Sequence, residues 1–336
     1  MTAPTRVPIS VLDLATVREG HGSADALRGT IEIAKAADQL GYSRFWVAEH
    51  HNMPAVASTS PPVLISAVAA HTSDIRVGSG GVMLPNHMPF VVAEQFALLE
   101  ALYPGRVDLG IGRAPGTDQA TAAALRGVSP YLTVEQFPDH LRTLLGLLGD
   151  ERVRSGRLLA TPAAETFPEV WMLGSSTYGA QIAAALGLPF CFAYHFAMSS
   201  DVDGALRLYR EGFQPSARFP RPWVMVSASV LAAETAEEAH FLAGPSRVMA
   251  LSLRTGRLGP MVSPEAAAQR PLSDLDRSVL ESLPGTQFAG TVDEVIAALD
   301  ALAERTGADE LLLAGAAYDP ATRVDSLTRI AKAWAG

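Results

Sequence analysis

The chain has 336 residues, 48% of them hydrophobic and 18% charged, which is enough for a large buried core in one α/β domain or two ordinary ones. A formal net charge of -9 argues against nucleic acid and against anionic membrane surfaces as partners. Cys191 is the only cysteine, so an intrachain disulfide and a multi-cysteine metal cluster are excluded; with no apolar leader-like run after Met1 and no stretch near the roughly 20 apolar residues of a membrane span, an unprocessed cytoplasmic protein is expected.

Residues 7–14 predict a first strand. A helix follows with Ser23 as N-cap, carries Leu27, Ile31, Ala34 and Ala37 on one face, and stops at Gly41. Residues 45–48, 75–79 and 107–111 read as the next three strands, the last preceded by a helix bearing Val92, Phe96 and Leu99 and by a Pro104-Gly105 turn. In the second half, residues 170–173, 190–193, 224–231 and 311–313 read as strands, with helices running to Leu186, near Leu206, after Thr235 and to Trp334. Thr133 with Gln136, Thr235 with Glu238 and Thr291 with Glu294 each have the spacing of a capping box.

Strands that are apolar on both faces and alternate with helices predict a parallel sheet, and about eight such units suffice to close it. The expectation is a (β/α)8 TIM barrel, a single domain over residues 1–336, with a doubly wound open sheet as the alternative. Residues 112–156 and 255–290 are too long for simple loops and read as insertions at the C-terminal face, either a lid or added structure.

Candidate chemistry gathers at the C-terminal ends of these strands. Ala48-Glu49-His50-His51-Asn52 ends the second one, and a histidine beside a carboxylate can move protons near neutral pH. Alternation along a strand keeps Glu49 and His51 off the side that His50 faces, unless the chain has already turned into loop. The helical HExxH spacing is absent, so no metal is expected, and a structural histidine pair is the rival reading. Gly78-Ser79-Gly80-Gly81 suits a backbone approached by a flat ligand or simply a tight turn, and Asn86 and His87 follow on the same rim. Gly110-Ile111-Gly112-Arg113-Ala114-Pro115 imitates a dinucleotide fingerprint, but Pro115 stands where the third glycine belongs. Arg113 reads instead as a candidate for an anionic ligand, or as half of a surface ion pair. Ser175-Ser176-Thr177-Tyr178 opens a helix and can cradle a phosphate, although one serine could merely cap it. His195 lies on the same rim, either packed or functional.

Together Trp46-Val47-Ala48-Glu49-His50-His51-Asn52, residues 78–86, Leu102-Tyr103-Pro104-Gly105-Arg106, residues 110–116 and Leu173-Gly174-Ser175-Ser176 resemble the bacterial luciferase-like family of flavin-dependent oxidoreductases, single-subunit branch, over nearly the whole chain. The resemblance implies FMN at the barrel mouth, its phosphate held by Arg113, Ser175, Ser176 and Tyr178, and its ring resting on a non-proline cis peptide at Gly80-Gly81. It implies His50 as the proton-handling group; Glu49 is expected beside it, and His51, Asn86, His87, Phe137 and His195 are expected around the pocket. By that likeness, reduced FMN and O2 form a C4a-hydroperoxide that oxidises a small apolar or aromatic molecule. The alternative is an F420-dependent dehydrogenase or reductase on the same fold. Gly112 and Gly174 replace larger residues of luciferase itself, so light emission does not transfer. With no nicotinamide motif evident, a separate flavin reductase is expected as partner. Relatives commonly pair through the second and third helices, so a homodimer is expected, and the apolar Val63-Leu64-Ile65 run permits it.

Overall fold

Eight parallel strands close into a barrel whose staves are buried on both sides, by side chains filling the interior and by helices outside. The computed structural model describes residues 6–127, 135–153, 157–196, 201–216, 218–282 and 287–336. In chain order the elements are β1 (Ile9–Asp13), α1 (Ser23–Gln39), β2 (Arg44–Val47), α2 (Pro61–Ala69), β3 (Arg76–Met83), α3 (Pro89–Leu102), β4 (Val107–Gly112), α4 (Gln119–Arg126) and α5 (Phe137–Leu147). They continue with β5 (Glu169–Gly174), α6 (Thr177–Leu186), β6 (Phe190–Phe192), α7 (Val202–Gly212), β7 (Val224–Ala233), α8 (Ala236–Thr255), α9 (Pro264–Gln269), α10 (Asp274–Ser282), β8 (Gln287–Thr291), α11 (Val292–Thr306), β9 (Glu310–Ala314) and α12 (Pro320–Ala335). Strands β1 to β7 pair in sequence, β7 pairs with β9, and β9 returns to β1. The open doubly wound sheet is thereby excluded.

Alternate strand residues face inward. Leu12, Trp46, Trp171, Cys191, Met225 and Leu312 form an apolar plug, with Trp46 and Trp171 edge to face at 5.4 Å between centroids. The indole of Trp46 occupies space that neighbouring strands leave empty: a Cβ on Gly78 would stand 2.9 Å from its Nε1, and one on Gly80 would stand 3.2 Å from its Cβ and 2.7 Å from Leu12. The glycines of β3 thus make room for protein atoms on the interior side. Beneath the plug, the first residues of the staves carry charge. Arg44 donates to both carboxylate oxygens of Asp108 at 2.9 Å and to Glu310 at 3.1 and 3.2 Å, Arg76 donates to Asp108, and the Trp46 Nε1–H reaches Asp108 at 2.9 Å. This paired network closes the N-terminal end, the end that barrels use for stability and not for chemistry.

Both insertions contain regular structure. The first carries α4 and α5. The second carries α9, α10 and β8, a ninth strand that pairs with Ser229–Ala233 of β7 beyond the closed barrel. That strand was not anticipated, because Gln287-Phe288-Ala289-Gly290-Thr291 is short and half polar and pairs, among the described residues, with the overhanging end of β7 alone. The N-cap of α1 is Gly22, not Ser23: the Asp25 carboxylate accepts the Gly22 N–H at 3.1 Å, which draws the helix start one residue earlier. Thr235 and Thr291 cap α8 and α11 as their spacing predicts; the pair proposed with Gln136 falls on Thr133, outside the described residues. No helix among the described residues is long and apolar enough to cross a membrane.

Candidate active site

The C-terminal ends of β2, β3, β4, β5 and β6 open on one face of the barrel, and all but one of the residues singled out from the sequence lie on or beside it. Strand β2 ends at Val47, and the segment after it carries the histidines. Glu49 and His51 turn to one side and bond to each other, while His50 turns to the other. His50 Nδ1 lies 3.2 Å from the Gly116 carbonyl oxygen, and since a carbonyl only accepts, Nδ1 carries the hydrogen and Nε2 keeps a lone pair. Burial holds the His50 pKa below the ordinary histidine range, so the ring is neutral at pH 7.

Glu49 does not serve His50 as a carboxylate partner. Its Oε1 accepts from His51 Nε2 at 2.8 Å and His87 Nε2 at 2.7 Å, and its Oε2 accepts the Met83 N–H at 3.1 Å. Burial works to raise the Glu49 pKa, but the hydrogen bonds from His51, His87 and Met83 outweigh it and hold the carboxyl at about 2. Glu49 is therefore an ionised acceptor with its oxygens engaged. His51, Glu49 and His87 offer ligand atoms within 4.8 Å of one another, the one such group able to hold a metal ion among the described residues.

The Gly80-Gly81 peptide after β3 is cis. Asn86, also on this rim, is buried and spoken for: its Nδ2 donates to the Pro115 carbonyl at 2.8 Å and its Oδ1 accepts from Arg126 at 3.2 Å. The segment after β4 is strapped to the segment after β2. Gly116 accepts from His51 N–H, Thr117 Oγ1 donates to the His51 carbonyl at 2.8 Å, and a Cβ on Gly116, whose φ is +65°, would stand 2.7 Å from the Glu49 carbonyl.

Across the mouth, Arg113 is exposed and its guanidinium carbon lies 4.5 Å from the Tyr178 ring centroid. No carboxylate among the described residues pairs with it, so the surface ion pair is not formed. Tyr178 stands in the first turn of α6. Ser176 is the N-cap, yet its hydroxyl accepts no hydrogen bond from the helix N–H groups, and the hydroxyls of Ser175 and Thr177 have no protein partner among the described residues. Simple serine capping therefore does not account for this run. A cationic fork, three hydroxyls and an uncapped helix start together fit the phosphate of a nucleotide-like cofactor.

His195 follows β6 in a short 3-10 turn, and its Nδ1 bonds Ser227 Oγ at 2.6 Å. Burial, with the nearby His50 ring adding to it, lowers its pKa to about 4. Ser227 was missed in the sequence, although a serine facing inward in the apolar run Val224-Met225-Val226-Ser227 was a signal. Phe137 departs from expectation. It is the first residue of α5 and has 0% exposure inside the main apolar core, so no surface of it remains for a ligand.

The luciferase-like monooxygenase family model matches residues 7–310. The chain belongs to the luciferase-like monooxygenase family. Among relatives, a protein of Escherichia coli (strain K12) named luciferase-like monooxygenase is 39% identical over 320 residues, 95% of either chain. N-acetyl-S-alkylcysteine monooxygenase of Bacillus subtilis (strain 168) is 39% identical over 238 residues, 70% of either chain. The crystal structure of apo-MsnO8 matches with a TM-score of 0.90 at 36% identity, covering 98% of both chains. This luciferase-like monooxygenase is accordingly an oxidoreductase of the monooxygenase type on a (β/α)8 barrel, with its polar rim residues at the face where such barrels carry chemistry.

Proposed function

We propose that the protein is a flavin-dependent monooxygenase that binds reduced FMN at the barrel mouth and uses O2 to oxidise a small apolar or aromatic molecule. The observation that carries this reading is Arg113, paired with no carboxylate among the described residues and stacked on Tyr178 at the uncapped start of α6. Arg113, Ser175, Ser176 and Tyr178 would hold the phosphate, and Gly80 and Gly81 would meet the ring. The bound flavin supplies two electrons, so that one atom of O2 enters the substrate and the other leaves as water.

The chain's own residues do the rest. The Nε2 lone pair of the neutral His50 accepts a proton at the mouth while its Nδ1–H stays on Gly116. Leu14 and Leu173, packed on the apolar plug and partly exposed, give the floor beneath it an apolar character suited to the substrate class. His51, His87, Asn86 and His195 border the mouth. The exposed Val63, Val91, Leu98 and Leu102 of α2 and α3 support a homodimer through those helices. A separate flavin reductase is proposed as the source of reduced FMN, and the buried, lone Cys191 agrees with a cytoplasmic location.

Anaerobic titration of reduced FMN and of F420 against tryptophan fluorescence tests the reading, since Trp46 and Trp171 lie in the plug under the mouth. Saturable quenching by reduced FMN and little by F420 is expected. Tight F420 binding with negligible reduced-FMN binding would replace the monooxygenase with an F420-dependent dehydrogenase or reductase. Rapid NADH or NADPH consumption by the protein with FMN alone would remove the reductase partner.

A further inference from the structure

Glu49, His51 and His87 stand beside the proposed reaction centre without facing it. We propose that Glu49 is a positioning residue whose carboxylate clasps the segment after β2 to the segment after β3, locks His51 and His87 as Nε2–H tautomers, and through the backbone keeps His50 aimed at the mouth. The inference rests on the reading above for the role of His50, and on geometry alone for the clasp.

The accounting of lone pairs leaves Glu49 no other task. An ionised carboxylate accepts and cannot donate, so both imidazole nitrogens at 2.8 and 2.7 Å must carry hydrogen. With the Met83 N–H on the second oxygen at 3.1 Å and 1% side-chain exposure, no substrate proton reaches the group. The clasp then spreads. His51 is held by its ring on Glu49, by its N–H on Gly116 and by its carbonyl, which accepts from Thr117. His50 sits between two anchored residues, with its own N–H on the Ser58 carbonyl at 3.0 Å. Its ring is then held on the Gly116 carbonyl, 3.2 Å from Nδ1.

A divalent cation is the competing occupant of the same three side chains. It needs both Nε2 atoms stripped of hydrogen and drawn to about 2.0–2.1 Å from one centre. The hydrogen-bonded arrangement is favoured because the Met83 N–H and the two imidazoles already engage both carboxylate oxygens.

The test is nitrogen-15 NMR of histidine-labelled protein without cofactor, for the wild type, Glu49→Gln and His87→Leu. His87 is one-third exposed, so the second variant keeps the clasp testable should the first fail to fold. In the wild type both His51 and His87 are expected to give the Nε2–H pattern, and His51 to lose it in Glu49→Gln. With a turned-over substrate, kcat is expected to fall by up to about 100-fold with KM within a few-fold and the pH profile keeping its histidine limb, as a misaimed group requires. A wild type without the Nε2–H pattern on His51 and His87, or an unchanged His51 tautomer in Glu49→Gln, would overturn the clasp, and loss of a pH limb in Glu49→Gln would make Glu49 a proton carrier. One equivalent of zinc that survives dialysis and disappears in His87→Leu would replace the clasp with a metal site. The tautomer readout involves no flavin, so failure of FMN binding leaves it intact.

Discussion

His50 Nδ1 lies 3.2 Å from the carbonyl oxygen of Gly116, and that one contact ties the imidazole after β2 to the segment after β4 that begins at Arg113. Gly116 has φ +65° and no room for a Cβ, which would meet the Glu49 carbonyl at 2.7 Å. Gly116→Ala should therefore turn the carbonyl away. We expect a stability loss of about 1–3 kcal/mol by urea denaturation and a histidine limb in the pH–rate profile that moves, because the tautomer is no longer held. A Gly116→Ala enzyme with an unchanged profile contradicts this assignment.

His195 makes stability depend on pH. Burial depresses its folded-state pKa from 6.5 to about 4, so between these values the unfolded chain binds more protons. Stability contributed by the neutral ring is present above pH 6.5 and is lost as pH falls toward 4, by at most about 3 kcal/mol. Urea unfolding of the wild type and His195→Asn from pH 4.5 to 7.5 should show a shallower slope for the variant. Parallel slopes would mean that the ring is not desolvated.

Gly78 leaves room for both Asp108 and Trp46. A Cβ there would stand 2.6 Å from Asp108 and 2.9 Å from the indole Nε1. Gly78→Ala is expected to cost about 1–3 kcal/mol. Adding Trp46→Phe, which removes Nε1, should recover part of that in a double-mutant cycle, whereas strictly additive losses would show that the two do not share the space.

At the far end of the barrel, Asp108 accepts from Arg44, Arg76 and Trp46. Asp108→Ala removes the acceptor shared by Arg44, Arg76 and Trp46, leaves Arg44 with Glu310, and should destabilise the fold by about 3 kcal/mol. Because this network lies beneath the plug and not at the mouth, flavin affinity of the folded fraction should stay within a few-fold. A large loss of flavin binding at full folding would place the network in the site.

Much of this was legible in the chain. All eight staves were readable because buried parallel strands must be apolar runs, and the Gly80-Gly81 cis peptide agreed with the family likeness. The strand ends at Val47, before Glu49, so strand alternation does not govern these residues, yet His50 and the Glu49–His51 pair do have different partners. The partner of Glu49 was not readable, because His87 lies on another strand's loop and reaches the carboxylate only once β2 and β3 pair. Phe137 misled because an aromatic side chain in a long insertion looks the same whether it faces a pocket or packs against the core. Strand β8 was hidden by its composition, since pairing along one edge demands little apolar character.

The phosphate cradle is the central claim, and the comparison of FMN with riboflavin in the wild type and in Arg113→Ala tests it most directly. Hydrogen bonds to a charged group contribute about 1.5–3 kcal/mol each, so the wild type should bind FMN roughly 10- to 100-fold more tightly than riboflavin, with Arg113→Ala reducing that gap to a few-fold. Equal affinities for the two flavins in the wild type, or an FMN affinity untouched by loss of Arg113, would contradict the account.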